Sequence, residues 1–186
     1  MKKVLGIDIG GGSIRGSVID TSGKIYIEDK ISTNRVWSNA EFLSSVEGLI
    51  STIQKKDSFE KIGIGTPGPI DMDKGVILRS SNLVNLKNVQ LSSYIQDKFK
   101  VQVFINNDAN CFALGEYHFG KGKNCENVMV FTLGTGIGCG WVYKGEVFNG
   151  YKGNGMESGH STIVINGALC GCGQKGCAES YFSARG

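Results

Sequence analysis

A chain of 186 residues, 40% hydrophobic and 20% charged, is long enough for one or two domains with a buried core. Its net charge of +3, without any run of five or six like charges, gives no electrostatic footprint for nucleic acid. No apolar stretch approaches the roughly twenty residues that span a membrane. Asp8 interrupts a start that would otherwise resemble a signal peptide, so a cytoplasmic location is expected. Glycine is the compositional outlier: its 28 copies are about twice the usual ~7% and cluster in short runs, as where backbone passes close to a ligand.

Residues 2–9 read as an apolar strand ending in Asp8. Gly10-Gly11-Gly12-Ser13 is a turn, Ile14 to Ile19 a second strand, Thr21 to Lys24 another turn, and Ile25 to Ile31 a third strand: an antiparallel meander with a glycine-rich first corner. Ser38 and Glu41 form a capping box ahead of Phe42, Leu43, Val46, Leu49, Ile50 and Ile53, which recur at helical spacing. A buried strand is expected over Ile62 to Gly65, ended by Thr66-Pro67-Gly68-Pro69. Leu91, Tyr94, Ile95 and Phe99 mark a second helix, Val101 to Ile105 a strand closed by Asn106-Asn107-Asp108, and Ala109 to about His118 a third helix.

The polar break Lys121-Gly122-Lys123-Asn124 divides a first domain, 1–118, from a second, 119–186. After it the opening device repeats: a strand over Val128 to Leu133, a corner at Gly134-Thr135-Gly136, and a return over Ile137 to Tyr143. The glycine run from Gly145 to Gly155 is expected as a loop, and a helix is expected to begin after Cys177 and still be running at Gly186.

The densest chemistry lies between Gly159 and Glu179. His160, Cys170, Cys172 and Cys177 fall within eighteen residues, and three thiolates with one imidazole complete a tetrahedral zinc site. Gly171, Gly173 and Gly176 would let the backbone turn tightly enough to aim the sulfurs inward. A disulfide or three unrelated thiols is the alternative; the spacing and the expected reducing location favour metal. Cys111, Cys125 and Cys139 read as ordinary reduced thiols.

At the first corner, Gly10, Gly11 and Gly12 offer backbone N–H groups, Ser13 a hydroxyl and Arg15 a charge to phosphate oxygens, and Asp8 is a candidate for hydrated Mg²⁺. The second corner offers the same donors. Either alone is equally a plain hairpin; the repetition raises both. Asp108, at a strand end and helix start, is either a base that takes a proton from an alcohol or simply a helix cap. Gly153 to His160 joins a glycine-rich backbone to Asn154, Glu157 and His160, which suit a polyhydroxylated ligand, or is a solvated loop in which His160 alone acts.

Taken together, Gly6-Ile7-Asp8-Ile9-Gly10-Gly11, Gly63 to Asp71, Asn107-Asp108-Ala109-Asn110 with Gly115-Glu116, Leu133 to Gly138, and Gly159-His160 with the cysteine cluster resemble the ROK family of sugar kinases, repressors and related proteins. The resemblance runs from residue 6 to residue 179 and implies the α/β, ribonuclease H-like fold of the actin-like ATPases, two lobes closing over ATP. It implies Asp108 as catalytic base, and Asn107, Glu157, His160 and Glu179, with Gly68 and Asn82 nearby, as sugar ligands. Asp8, Gly10, Gly11, Ser13, Arg15, Gly134, Thr135 and Gly136 would face Mg²⁺-ATP, and His160, Cys170, Cys172 and Cys177 would hold a structural zinc. Two departures stand out. Family kinases are longer, so a truncated second lobe without its adenosine pocket is expected; and Ser158 occupies a place that is more often aliphatic.

The first expectation is therefore an ATP-dependent hexose kinase, glucokinase-like and acting on the 6-hydroxyl, with an N-acetylmannosamine or other amino-sugar kinase as its nearest rival. A non-enzymatic ROK-type sugar sensor is disfavoured by Asp108 and by a first strand beginning at Lys2 or Lys3, and a purely structural zinc module by the polar residues beside the cluster. Expected partners are a sugar and ATP, with no nucleic acid or membrane, and a homodimer in keeping with the family.

Overall fold

Strand β1 (Lys3–Ile9) turns at Gly10 to Gly12 and returns as β2 (Ser13–Asp20), which turns again into β3 (Ile25–Ser32). The pairing is antiparallel throughout, with Asp8 opposite Arg15 and Ile9 opposite Ile14. Alternation along the pleat buries Leu5, Ile7, Ile9, Ile14 and Val18. The turn after β2 is closed by Asp20, whose carboxylate accepts from the Ser22 amide (2.8 Å) and hydroxyl (2.6 Å), the Lys24 amide (3.2 Å) and the Tyr26 hydroxyl (2.9 Å). These details come from a computed structural model that describes residues 2–80, 82–153 and 155–184.

Helix α1 (Asn39–Gln54) begins at the expected capping box: Ser38 Oγ accepts from the Glu41 amide, and Glu41 accepts from the Ser38 amide at 2.8 Å. It buries Phe42, Val46, Leu49, Ile50 and Ile53. At about 1.5–3 kcal/mol for each large side chain, burial outweighs the roughly 1 kcal/mol of the cap. Packing holds the helix on the sheet; the cap sets where it starts.

Strand β4 (Lys61–Thr66) then lies parallel to β1, with Asp8 opposite Gly65. Three short strands follow, β5 (Ile70–Asp71), β6 (Val76–Arg79) and β7 (Lys87–Val89), forming a separate antiparallel sheet that the sequence reading did not foresee. Helix α2 (Leu91–Phe99) ends on Lys100 in the left-handed region (φ 56°) and leads into β8 (Gln102–Asn107), parallel to β4. The main sheet has the order β3-β2-β1-β4-β8. Asn106 and Asn107 are the last two residues of β8, paired with Gly65 and Thr66.

The chain divides into two compact units, Met1–Asp108 and Ala109–Gly186. Helix α3 (Asp108–Phe119) starts on the last residue of the first unit and continues in the second, so the division falls ten residues before the expected one at 118/119. The reason is close packing. In the second unit β9 (Asn127–Leu133), β10 (Ile137–Tyr143) and β11 (Glu146–Val147) form an antiparallel sheet of order β11-β10-β9. A Cβ on Gly140 of β10 would stand 2.4 Å from the Ala109 carbonyl oxygen and 2.7 Å from Ala113 Cβ, so α3 sits directly on that strand.

Two further expectations are corrected here. The glycine run from residue 145 to 155 holds β11 and a 3-10 turn at Tyr151–Gly153. The helix after Cys177, α4 (Glu179–Phe182), is one turn long; Ser183 is extended (φ −86°, ψ 169°), and the Ala184 amide donates to the Gly134 carbonyl at 2.8 Å instead of continuing the helix. Among the described residues no helix is long and apolar enough to cross a membrane.

Candidate functional site

In the first unit the expected residues gather at one edge of the sheet. Asp8, Gly65 and Asn106 are opposite one another across the parallel strands β1, β4 and β8, and Thr66 is opposite Asn107. At about 4.8 Å per strand, Asp8 and Asn106 are roughly 10 Å apart. Asp108 follows as the first residue of α3. The C-terminal edge of parallel strands is where α/β sheets bind ligands, because side chains and loop amides open outward there.

The glycine corner lies at the same end of β1. The Gly10 amide donates to the Ser13 carbonyl (2.9 Å), so Gly10 closes the hairpin and its N–H is committed. The Thr33 hydroxyl donates to the Gly11 carbonyl (2.7 Å) and the Thr33 amide to the Gly12 carbonyl (3.2 Å). With both carbonyls tied back, the N–H groups of Gly11 and Gly12 have no partner among the described residues. Asn82 packs on this corner, since a Cβ on Gly11 would be 2.9 Å from Asn82 Cβ, and Gly68 lies near the Asn107 amide group. Partial burial of the Asp8 carboxyl raises its pKa above the ordinary value, while Arg15 across the hairpin pulls it down. A cation beside Asp8 would favour its charged form.

The second unit brings together the second corner and the cysteine cluster. Ser158–His160 is a 3-10 turn preceded by Glu157, whose carbonyl accepts the His160 amide (3.0 Å); Glu157 is exposed. Asn154 lies outside the described residues. The Ala178 amide donates to the Ser161 carbonyl (2.9 Å) and Thr162 bridges Cys177, which returns the cysteine segment to His160. Gly173 (φ 92°) and Gly176 (φ 78°) take left-handed backbone as expected; Gly171 has neither a positive φ nor a close neighbour.

One ligand atom from each of His160, Cys170, Cys172 and Cys177 lies within 4.8 Å of the others. Cys170 Sγ is 3.6 Å from His160 Nδ1, and Cys172 Sγ is 3.7 Å from Cys177 Sγ. A tetrahedron with Zn–S of about 2.3 Å and Zn–N of about 2.0–2.1 Å has edges of about 3.6 Å between N and S and about 3.8 Å between sulfurs. The donor set therefore fits zinc in identity, and these two edges fit it in spacing. Its electrostatics fit too. Burial pushes the Cys177 thiol up to about 12, and the neighbouring Cys172 and Cys170 push the same way. Burial also acts to raise Cys170, but hydrogen bonds from the Cys172 amide, Ser180, Cys172 and His160 together bring it down to about 7. Sulfurs this close cannot all be anionic without a cation among them.

Glu179 does something that sequence reasoning missed. Its Oε2 accepts the backbone N–H of Ile137 at 2.9 Å, next to the corner Gly134-Thr135-Gly136, and its Oε1 is 3.8 Å from Cys170 Sγ. The Gly134 amide is committed to the Gly136 carbonyl (3.0 Å), as Gly10 is in the first corner. Thr33, through its hydroxyl and amide, also contributes to the first corner, and no motif signals it.

Sequence and fold comparisons give the chain its family and fold. The chain matches the ROK family over residues 4–186. A glucokinase of Thermotoga maritima is 34% identical over 98% of this chain and 57% of its own length, and a xylose repressor of Bacillus subtilis is 35% identical over 97% of this chain and 48% of its own. The crystal structure of a ROK family glucokinase from Streptomyces griseus in complex with glucose and AMPPNP superposes with a TM-score of 0.87 at 32% identity, covering 98% of this chain and 58% of that one. The fold is the mixed α/β fold of the actin-like ATPases. The chain belongs to the ROK family, with glucokinase homologues along nearly its whole length. It spans about half the length of the relatives it matches.

Proposed function

We propose that this chain carries the sugar-binding and phosphate-facing residues of an ATP-dependent hexose kinase that transfers the γ-phosphoryl group to a 6-hydroxyl, as a glucokinase does. The observation that carries this reading is the position of Asp108 directly after β8, on the sheet edge that also presents Asp8 and the first glycine corner.

In the reaction the Asp108 carboxylate accepts the proton of the sugar hydroxyl as its oxygen attacks the γ-phosphorus and the bond to the ADP oxygen breaks. Asn107, Glu157, His160 and Glu179 orient the sugar through hydrogen bonds, with Gly68 and Asn82 alongside. His160 directs Nδ1 toward the sulfurs, which leaves Nε2 for a hydroxyl. Gly11, Gly12, Ser13 and Arg15, with Gly134 to Gly136, hold phosphate oxygens; Gly10 acts by closing its turn. Mg²⁺ held through Asp8 supplies charge neutralisation on the triphosphate. Zinc on His160, Cys170, Cys172 and Cys177 is structural, a closed four-ligand site that holds the 159–179 segment in place. The protein works in the cytoplasm on a free sugar and ATP, alone or as a homodimer.

The test is ADP release by the full-length protein across a panel of hexoses and amino sugars. Turnover with glucose supports the reading, and preference for an amino sugar replaces the substrate while keeping the chemistry. A sugar-responsive regulator is the second reading, because the Bacillus subtilis xylose repressor matches 97% of the chain. Sugar binding without ADP release would favour it.

A further inference from the structure

The short segment after the last cysteine is fastened to the second glycine corner at two points. The Glu179 carboxylate accepts the Ile137 N–H at 2.9 Å, and the Ala184 N–H donates to the Gly134 carbonyl at 2.8 Å. The fit is close. A Cβ on Gly136 would stand 2.5 Å from Glu179 Oε2, and one on Gly159, beside His160, would stand 2.4 Å from the Ile137 carbonyl oxygen. Ile137 is thus gripped on both its peptide groups, by Glu179 from beyond Cys177 and by the turn that carries His160. Glu179 lies two residues past Cys177, and its other oxygen is 3.8 Å from Cys170 Sγ.

We infer that Glu179 is a positioning residue for the phosphate corner, a clamp through which the His160–Cys170–Cys172–Cys177 site sets the backbone of Gly134 to Ile137. The cluster then has two outputs. It shapes the sugar segment, and it holds the loop assigned to nucleotide phosphates. Removing the metal releases Cys177 and His160, close in the chain to Glu179 and Gly159, the two contacts of Ile137, so the corner loosens although no corner residue is a ligand. The phosphate role of the corner rests on the kinase reading above; the mechanical link does not.

The experiment is amide hydrogen exchange over residues 133–139 in the full-length protein, zinc-loaded and zinc-stripped, for wild type, Glu179→Ala and Glu179→Gln, with zinc content and thermal melting confirming the fold of each. A hydrogen bond to a charged acceptor of about 1.5–3 kcal/mol corresponds to at least tenfold in exchange. Glu179→Ala, still holding zinc, exchanges Ile137 about tenfold faster or more and raises the KM for ATP. Glu179→Gln keeps an acceptor for the Ile137 N–H, so its Ile137 exchange stays near wild type even where its sugar affinity falls. Zinc removal accelerates wild-type Ile137 and adds little in Glu179→Ala. Exchange at Ile137 within twofold of wild type in zinc-loaded Glu179→Ala overturns the clamp, as does loss of sugar affinity in both variants with an unaltered corner. Coupled exchange in a protein that phosphorylates no sugar would remove the kinase reading and leave the clamp standing.

Discussion

His160 Nδ1 and Cys170 Sγ are 3.6 Å apart, the N-to-S edge of a tetrahedron centred on zinc, although ten residues separate them in the chain. The Ser161–Ala178 hydrogen bond and the Thr162–Cys177 bridge bring the two ends of the segment together. The protein is expected to bind one zinc ion per chain. Cys177→Ser should weaken zinc by more than the roughly 10–100-fold that outer-shell partners cost, and should expose residues 159–182 to protease. Cys111→Ser, outside the cluster, should do neither. Metal analysis and limited proteolysis read both; equal zinc content in the two variants would remove the site.

Asp108→Asn keeps the shape of the side chain and removes the base. The expected outcome is a fall in kcat of about 10²–10⁴-fold with sugar and nucleotide dissociation constants within a few-fold of wild type. Calorimetric titration beside steady-state kinetics checks the split. Loss of sugar binding with kcat intact would make Asp108 a binding group only.

Asp20 gives a pH dependence whose sign is set by its partners. Hydrogen bonds, that of the Ser22 hydroxyl foremost, hold its pKa down to about 2, against about 3.9 in an unfolded chain. Its contribution to stability is complete above about pH 4 and is lost as pH falls through about 2. Thermal melts between pH 5 and 2 should show a shallower acid decline for Asp20→Asn than for wild type. Parallel declines would mean that other carboxylates carry the acid sensitivity.

The close approach of α3 to β10 predicts opposite signs for two glycine substitutions. Gly140→Ala forces a Cβ into Ala109 and Ala113 and should destabilise by about 1–3 kcal/mol. Gly115→Ala, exposed on α3 with nothing within 4 Å of the new Cβ, should stabilise by about 0.5–1 kcal/mol. Urea titrations of the two variants decide it; equal effects would place the helix elsewhere.

Much of this architecture was legible in the chain because its signals are local. The meander follows from period-2 burial around two turns, α1 from a capping box and six apolar residues at helical spacing, and the gathering of His160 with Cys170, Cys172 and Cys177 from cysteine spacing. The sheet of β5, β6 and β7 was hidden because strands of two to four residues are shorter than any period they could display. The compact units divide ten residues before the expected boundary because Lys121 to Asn124 reads as a break, whereas the packing of Ala109 and Ala113 on Gly140 is a contact between residues some thirty positions apart. The clamp on Ile137 was invisible for a related reason. It joins a side chain to a backbone N–H, and any residue but proline supplies that donor.

The central claim is that a sugar hydroxyl receives the γ-phosphoryl group of ATP with Asp108 as base. Phosphorus NMR of the full-length protein with glucose and Mg²⁺-ATP tests it most directly. The account predicts a growing hexose 6-phosphate resonance matched by ADP, absent with Asp108→Asn. Intact ATP and unmodified glucose, in a zinc-loaded protein that binds the sugar, would contradict it and make the chain part of a sensor.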